Sequence, residues 1–495
     1  SLRMRHLHHL LPVLAGLAAA LGQAPWELWW LALPAYVVGI YSITVARWPF
    51  LAGLLFGMAH FALALNWIIE PFLVDVALTG WLAPFALLGF SLGFGLFWAV
   101  AGWLGMRLSG GPIGVGVALA GAELLRSYVL TGFPWGLPGH ILIGSPALTA
   151  SAYVGAHGLG LMVLLGAALI AARTPVRMAS GVAIWLLPFG LALTLPDAPA
   201  VPDDAPVIRL VQPNAPQSQK WDPDFIYVFF QRGLAETAAA PLGRAPDAVV
   251  WPETSLPQLL RYSDDLRPVI ATAAGGKPVV IGAQRYGEDG RPRNSVVMLT
   301  GEGGDVAQVQ DKFRLVPFGE YLPLQGFFEM FGLGPLAAQL AGGFVPGDGP
   351  VLMDLPGIGT VLPLICYETI FPQILRQVDR PKAILNLTND AWFGANAGPQ
   401  QHLALARLRS AESGLPLLRA ANTGVSAVID ARGNILGSLP LGEAGHLDAA
   451  LPPALPPTLY IMTGDWAALM VLLLLTAFLL WHRVRNPVAL VRNPT

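Results

Sequence analysis

The chain has 495 residues, of which 54% are hydrophobic and only 12% charged, and its mean hydropathy is +0.56. A formal net charge of −2 gives no support for nucleic-acid binding, and this composition excludes an ordinary soluble protein. Long apolar runs fill residues 6–195 and return at 466–481, whereas residues 200–460 have the composition of a soluble α/β domain. The sequence therefore predicts a membrane part and a soluble part.

Seven apolar segments precede the soluble part, and several approach the ~20 residues that a helix needs to cross the hydrocarbon core. We predict spans near 8–22, 27–46, 49–69, 82–106, 112–130, 150–172 and 179–195, with an eighth at 465–482. The first segment lacks a convincing cleavage site and further spans follow at once, so we predict that it is retained. The predicted organisation is a membrane domain at 1–196, a linker at 197–206, a catalytic domain at 207–460 and a final span with its tail at 461–495.

Basic residues mark alternate loops and both ends of the membrane part. They are Arg3, Arg5, Arg47, Arg107, Arg173, Arg177, Arg483, Arg485 and Arg492, and Arg126 is the one exception. By the positive-inside rule both termini lie in the cytoplasm, which requires an even number of spans. The soluble domain would then face the opposite, oxidising compartment. A chain with one cysteine forms no internal disulfide there, so its thiol stays available for chemistry.

The soluble part contains both extended apolar runs and helical patterns. The predicted strands are Val207–Gln212, Ala248–Trp251, Pro278–Gln284, Ser295–Thr300, Gly359–Ile365, Ala383–Thr388 and Ser426–Asp430. Helical patterns lie near 222–239, 257–274 and 399–414. Consecutive strands combined with interleaved helices indicate a layered α/β sandwich and not a barrel or a bundle.

Cys366, the only cysteine of the chain, ends the apolar run that begins at Val361. A polar segment of helical character follows it, so the sequence predicts an exposed thiol at a strand-to-helix junction. The helix N-terminus would favour the thiolate there, which is the reactive form of cysteine. A buried and inert cysteine is the alternative that this pattern leaves open.

Two other ionisable residues also follow apolar or extended stretches: Glu253 in the segment WPETS, and Lys312 in DKFRLVPFGEYLP. A carboxylate that takes the thiol proton, a thiolate that attacks a carbonyl and an ammonium that stabilises the oxyanion form a workable acyl-transfer set. Spacing alone does not establish that the three side chains converge. Each of them is otherwise explained as an ordinary surface or turn residue.

The motifs around Glu253, Lys312 and Cys366 (WPETS, DKFRLVPFGEYLP and LICYETIFP) resemble the Glu-Lys-Cys triad of the nitrilase, or carbon–nitrogen hydrolase, superfamily. With the membrane spans, they resemble the bacterial apolipoprotein N-acyltransferase family. The segments LVQPNAPQSQKW (210–221), LNLTNDAWFG (385–394) and LLRAANTGVSAVID (417–430) extend this resemblance. It implies a polytopic α-helical membrane domain of about eight spans and a nitrilase-like αββα sandwich domain. It also implies a multi-pass protein of the bacterial inner membrane whose catalytic domain is periplasmic.

The resemblance further implies a reaction. Cys366, activated by Glu253, would take an acyl chain from a phospholipid and pass it to the α-amine of a diacylglyceryl-modified N-terminal cysteine of an apolipoprotein. Lys312 would stabilise both tetrahedral intermediates, and no metal, soluble cofactor or ATP would be needed. Three alternatives remain open: an amidase that passes the thioester to water, a transporter suggested by the eight spans, and a lipoprotein-binding pseudoenzyme.

Other residues are predicted to support this site. The aromatic candidates for an acyl path are Trp221, Tyr321 and Trp392, and candidates for hydrogen bonding or loop positioning are Asn294, Glu320, Tyr367, Glu368 and Asn389. The apolar segment 327–336, which contains Phe327, Phe328 and Phe331, is predicted to be a lid that dips into the membrane lipid and excludes water. A helix that covers the core is the alternative for this segment.

Overall fold

The computed structural model describes residues 2–332 and 343–486, and the side chains of residues 2–8, 327 and 328 lie outside this description. The chain forms two compact units. The first contains the described residues within 1–197, 396–413 and 457–495, and the second consists of those within 198–395 and 414–456.

The first unit is built from helices. The longer ones are Leu2–Ala20, Trp29–Val45, Pro49–Ala64, Ala83–Ser109, Pro112–Tyr128, Ser151–Ala171, Pro175–Leu193, Gly398–Ser413 and Trp466–Arg485. Short helices lie at Glu70–Leu73, Val76–Thr79 and Leu459–Thr463. Each of the eight apolar segments of the sequence coincides with one of the longer helices, because an apolar chain in lipid must satisfy its backbone hydrogen bonds internally.

Not all of these helices are long enough to span a bilayer. Among the described residues, four helical segments have the length and apolarity of a span: Val76–Ser109, Leu148–Ala171, Pro175–Leu193 and Trp466–Arg485. A bent pair, Pro49–Ala64 with Asn66–Leu73, gives a fifth if it is one span, and His9–Ala20 and Trp29–Val45 are shorter apolar helices. The number of eight spans therefore stays a prediction.

A buried ion pair explains why Arg126 departs from the arginine pattern. Its guanidinium lies 2.6 Å from Glu123 Oε2, and Trp98 Nε1 donates to Glu123 Oε1 at 2.8 Å. Arg126 also donates to the main-chain oxygens of Phe133 and Trp135, both at 2.9 Å. Because Arg126 is buried and its charge is compensated, its position carries no information about which compartment the neighbouring loop faces.

The described residues of the second unit contain twelve strands, which form two sheets. They are β1 (Val207–Gln212), β2 (Ala248–Val250), β3 (Val279–Tyr286), β4 (Pro292–Thr300), β5 (Asp305–Asp311), β6 (Met353–Leu355), β7 (Gly359–Ile365), β8 (Ala383–Thr388), β9 (Leu417–Ala421), β10 (Ala427–Ile429), β11 (Ile435–Ser438) and β12 (Gly445–Ala450). One sheet has the order β12-β1-β2-β3-β4-β5, and the other β11-β10-β9-β8-β7-β6. The sheets contact each other where Gln310 of β5 donates to the main-chain oxygen of Pro363 of β7, at 3.1 Å.

Helices Ile226–Ala238 and Arg267–Ala273 cover the first sheet, and Phe230 and Ile270 pack with Trp251 in its buried core. The predicted helix at 257–274 is wrong in its first half, where the chain forms only a three-residue 3-10 turn, Leu260–Tyr262. The polar stretch Ser263-Asp264-Asp265 precedes the true helix, which has a proline in its first turn, a favourable position for that residue.

The strand directions place several candidate residues at one edge of the two sheets. Strands β1, β2 and β3 are parallel, as are β7, β8 and β9, and β5 has the direction of β3 because each is antiparallel to β4. Glu253 follows β2, Lys312 follows β5, Cys366 follows β7 and Asn389 follows β8. Sites in α/β folds gather at these carboxyl ends of strands.

Candidate active site

Glu253 and Lys312 are in direct contact. Lys312 Nζ lies 3.4 Å from Glu253 Oε1 and 2.9 Å from Glu320 Oε1, and the lysine side chain is only 1% exposed. Burial alone would lower the pKa of Lys312, but the charges of Glu320 and Glu253 raise it above its ordinary value. Lys312 is therefore an ammonium at neutral pH, with the charge that an oxyanion requires.

Both carboxylate oxygens of Glu253 have a further donor. Asn294 Nδ2 donates to Oε1 at 2.8 Å, and the main-chain N–H of Asn389 donates to Oε2 at 2.9 Å. Asn294 lies on β4 of one sheet and Asn389 follows β8 of the other, so both sheets fix the carboxylate. A buried carboxylate with a fixed orientation suits a general base.

Cys366 directly follows β7, as predicted, but the expectation of an exposed thiol at the start of an α-helix is wrong. Cys366 is 4% exposed, and two short 3-10 helices follow, Cys366–Ile370 and Pro372–Arg376. Burial, together with the charge of Glu253, raises the pKa of the Cys366 thiol well above its usual range, although Lys312 lowers it. The resting thiol is therefore protonated, and a base has to remove its proton during the reaction.

One residue in each of the three motifs has a left-handed backbone. The φ angles are +47° at Thr254, +65° at Phe318 and +51° at Cys366, and none of these residues is glycine. Such conformations cost about 1–3 kcal/mol each and persist only where surrounding contacts determine them. Neighbouring contacts therefore hold the backbone at three places: the turn beside Glu253, the segment from Lys312 to Tyr321 (the lysine loop) and the position of the thiol.

Glu368 connects the lysine segment to the cysteine segment. Its Oε1 accepts from the main-chain N–H groups of Phe313 (2.7 Å) and Arg314 (3.2 Å), and its Oε2 accepts from that of Ile365 (2.7 Å). Burial raises the pKa of Glu368 to about 7, although these hydrogen bonds oppose the shift. The contacts are those of a residue that fixes the spacing between the chain after Lys312 and the chain before Cys366.

Glu320 closes the lysine loop on itself. One carboxylate oxygen accepts from Lys312, and the other accepts from the main-chain N–H of Val316 at 2.8 Å. The main-chain N–H of Phe318 donates to the oxygen of Tyr321 at 2.8 Å, which completes this turn. Glu320 thus places the ammonium and shapes the loop that carries it.

The aromatic candidates have different environments. Trp221 and Trp392 are 42% and 41% exposed, and Tyr321 is half-buried. Tyr367, by contrast, is buried and packs edge to face on Phe371, with 5.1 Å between the ring centroids. The two tryptophans are therefore surface side chains, whereas Tyr367 is a buried core residue.

The predicted lid segment is only partly described. Gln325–Met330 is a helix, and the exposed apolar side chains in and around it are Leu324 (60%), Met330 (76%) and Phe331 (62%). The side chains of Phe327 and Phe328, and residues 333–336 of the predicted lid, lie outside the described residues. The described part of this segment has an exposed apolar surface, and in the sequence it directly follows the lysine loop.

A buried series of hydrogen-bonded polar side chains that begins at the thiol was not predicted from the sequence. The hydroxyl of Thr388 is hydrogen-bonded to Cys366 and donates to Asp390 Oδ1 at 2.7 Å. The guanidinium of Arg419 is paired with Asp390 and also donates to Asn386. The side chains of this series are fully buried: Thr388, Asp390, Arg419 and Asn386. The motifs 385–394 and 417–430 contain these residues, so the resemblance marked the segments but gave the side chains no role.

Two family models match the chain. The carbon–nitrogen hydrolase model matches residues 226–455, and the model of the apolipoprotein N-acyltransferase N-terminal domain matches residues 15–169. A curated apolipoprotein N-acyltransferase of Caulobacter vibrioides is 37% identical over 500 residues, which cover 94% of this chain and 92% of that protein. The chain belongs to the apolipoprotein N-acyltransferase family.

Other members of the apolipoprotein N-acyltransferase family match equally widely. The protein of Rhodopseudomonas palustris is 35% identical, and the match covers 97% of this chain and 95% of that protein.

Among solved structures, an amidase from Nesterenkonia sp. has a TM-score of 0.37 and 19% identity, and the match covers 55% of this chain and 98% of that chain. Family membership confirms the predicted resemblance, the fold class and an acyltransferase instead of a transporter.

Proposed function

We propose that the protein transfers an acyl chain from a phospholipid, through a thioester on Cys366, to the α-amine of a diacylglyceryl-modified N-terminal cysteine of apolipoproteins. The family supports a lipid donor and a lipoprotein acceptor in general terms. The observation that carries the finer proposal is the 3.4 Å contact of Lys312 with Glu253, where both charges act on the buried thiol of Cys366.

The first half-reaction forms the thioester. Glu253 takes the thiol proton, and the sulfur of Cys366 attacks the ester carbonyl of the donor while Lys312 stabilises the oxyanion. The C–O bond then breaks, and Glu253 returns the proton to the leaving oxygen. A lysophospholipid departs, and the acyl group stays on the sulfur.

The second half-reaction forms the amide. The amine of the acceptor attacks the thioester carbonyl, and Glu253 takes a proton from the attacking nitrogen. Breaking the C–S bond releases the amide, and the proton returns to the sulfur. The thioester keeps the activation of the original ester, so this proposal needs neither ATP nor a metal. It is tested by lysophospholipid release: one equivalent per protein is expected without acceptor, and continuous release would indicate hydrolysis.

The apolar segment around Phe331 is proposed to admit donor lipid from the membrane. We expect Met330→Ser and Phe331→Ser to slow acylation from bilayer phospholipid about tenfold or more, because membrane burial of such a side chain contributes about 1.5–3 kcal/mol. Acylation by a water-soluble activated ester should be largely unchanged. Leu242→Ser is the matched control, because Leu242 is likewise an exposed apolar residue but away from the site: it is 85% exposed and lies before β2, whereas Glu253 follows that strand. Equal loss with both donors would contradict a lipid-access role.

The proposed orientation places both termini in the cytoplasm and the catalytic domain in the periplasm. Contacts within the first unit support the sides assigned to the arginines. Arg483 donates to the main-chain oxygen of Arg107. Arg173 donates to the hydroxyl of Tyr41 at 3.3 Å, and Tyr41 is close to Arg47 in the sequence. Each pair therefore lies at one end of the helices, as an arginine-rich cytoplasmic face requires.

A cysteine-free Cys366→Ser background allows this orientation to be measured. We expect a membrane-impermeant maleimide to label Glu302→Cys, on the exposed turn between β4 and β5, in intact spheroplasts. Thr174→Cys, exposed in the loop beside Arg173, is the matched control and should be labelled only after lysis. The opposite pattern would show that the number of spans before residue 200 has been miscounted by one.

A further inference from the structure

Lys220 contacts the turn that carries Glu253 and has no part in the reaction described above. Its side chain is 7% exposed, and its ammonium donates to the main-chain oxygen of Glu253 at 3.2 Å and to Thr254 Oγ1 at 2.7 Å. The chain contains only four lysines among its 29 lysine and arginine residues. Two of them, Lys220 and Lys312, are buried at this site, although burying an ammonium is costly unless it is well partnered.

The turn after β2 requires support from outside. Thr254 is β-branched, and its φ of +47° is unfavourable for such a residue. On one side Gly282 of β3 supports the turn: its N–H donates to the oxygen of Pro252 at 3.1 Å, and its oxygen accepts from Ser255 at 2.9 Å. A Cβ at position 282 would lie 2.3 Å from the Thr254 nitrogen, so only glycine permits this approach. Lys220 supplies hydrogen bonds to the turn from a different segment.

We propose that Lys220 is a positioning residue for Glu253, whose ammonium holds the Glu253–Thr254 turn so that the carboxylate faces the thiol of Cys366. This inference rests on the proposed function, because it takes Glu253 as the base. The side-chain oxygens of Glu253 are fixed by Asn294, Lys312 and Asn389, but a carboxylate is only as well placed as the main chain that carries it. Lys220 fixes that main chain.

The charge of Lys220 also suits this position. Burial lowers the pKa of Lys220 to about 8, although Glu253 and Cys366 raise it, so the side chain is mainly an ammonium at neutral pH. An ammonium makes stronger hydrogen bonds to a carbonyl and a hydroxyl than a neutral amine does. A methionine at this position would have a similar length but would donate no hydrogen bond.

The test measures the single-turnover rate of Cys366 acylation in the full chain, with p-nitrophenyl butyrate and with phospholipid vesicles as donors. We expect Lys220→Met to acylate about 10²-fold more slowly with both, with little change in KM, because misplacing a catalytic group by about 1 Å costs that much. Lys277→Met, at an exposed lysine, is the matched control and should react like the wild type. Lys220→Arg, which retains charge and donors, should recover part of the rate.

Thr254→Val removes the hydroxyl partner but keeps the ammonium and its contact with the main-chain oxygen of Glu253, and it carries the test if Lys220→Met does not fold. We expect it to slow acylation moderately, and the double variant to be no slower than Lys220→Met, since residues that act through one contact are not additive. Wild-type rates in both variants, additive losses, or a change in KM alone would overturn the inference. Transfer of the acyl group only to water by the wild type would refute the proposed function, while the acylation rates would still decide the role of Lys220.

Discussion

Cys366→Ala is expected to fold and insert like the wild type but to form no acyl-enzyme and no N-acylated product. Loss of a nucleophile costs on the order of 10⁶-fold in rate, because no other group can hold the acyl chain between the two half-reactions. Cys366 is the only cysteine of the chain, so no second thiol can replace it. Product formation is measured with phospholipid and a diacylglyceryl lipopeptide, and thermal unfolding verifies that the variant is folded.

Cys366→Ser is the informative control for this variant. Serine replaces the sulfur by an oxygen nucleophile at the same position, so partial acylation is expected. An oxygen ester is a less reactive acyl donor to an amine than a thioester is, and the variant should stall in its acylated form. Appreciable turnover by Cys366→Ala would remove the thioester mechanism.

Glu253→Gln is expected to abolish the acylation step while leaving lipid binding unchanged. Because burial keeps the Cys366 thiol protonated, the reaction depends on a base, and an amide of the same shape cannot accept the proton. Single-turnover acylation and vesicle binding, measured on the same sample, separate the two effects. Weaker binding with an unchanged acylation rate would contradict the role of base.

Lys312→Met is expected to cost a comparable amount, about 10²–10³ in rate if the lysine is one oxyanion donor. The variant also leaves Glu320 and Glu253 without the buried cation that lies 2.9 and 3.4 Å from them, which is strongly destabilising. The double variant Lys312→Met with Glu320→Gln removes one of these charges and separates folding from chemistry. Recovery of stability without recovery of rate is the expected result, and recovery of both would assign Lys312 a structural role only.

Apolar runs predicted the helices and most buried strands because burial and hydrophobic pattern coincide there. Strand β9 was missed because Leu417-Leu418-Arg419-Ala420-Ala421 has no β-branched residue and contains an arginine, whose burial depends on Asp390 and Asn386. The partly exposed strands β5, β11 and β12 were missed because their apolar pattern is weak. Tertiary pairing overrides local preference in both cases.

The site shows the same division. The sequence predicted that Glu253, Lys312 and Cys366 follow apolar or extended stretches, and the structure adds the contacts that only packing determines. The burial of Cys366 depends on segments distant in sequence, and the three main-chain hydrogen bonds to Glu368 exist only after the lysine and cysteine segments meet. Lys220 lies in the segment 210–221 that carries part of the resemblance, but nothing in the sequence shows that its ammonium contacts the turn after β2.

Intact-protein mass spectrometry tests the thioester route most directly. After incubation with phospholipid, the wild type is expected to gain on Cys366 the mass of one fatty acid minus one water, which is the mass change of thioester formation. Addition of a diacylglyceryl lipopeptide should remove that mass and transfer it to the peptide α-amine. The Cys366→Ala variant should show neither change. An unmodified wild-type protein that still forms N-acylated peptide would contradict the thioester intermediate, and an acyl group lost only to water would identify the amidase instead.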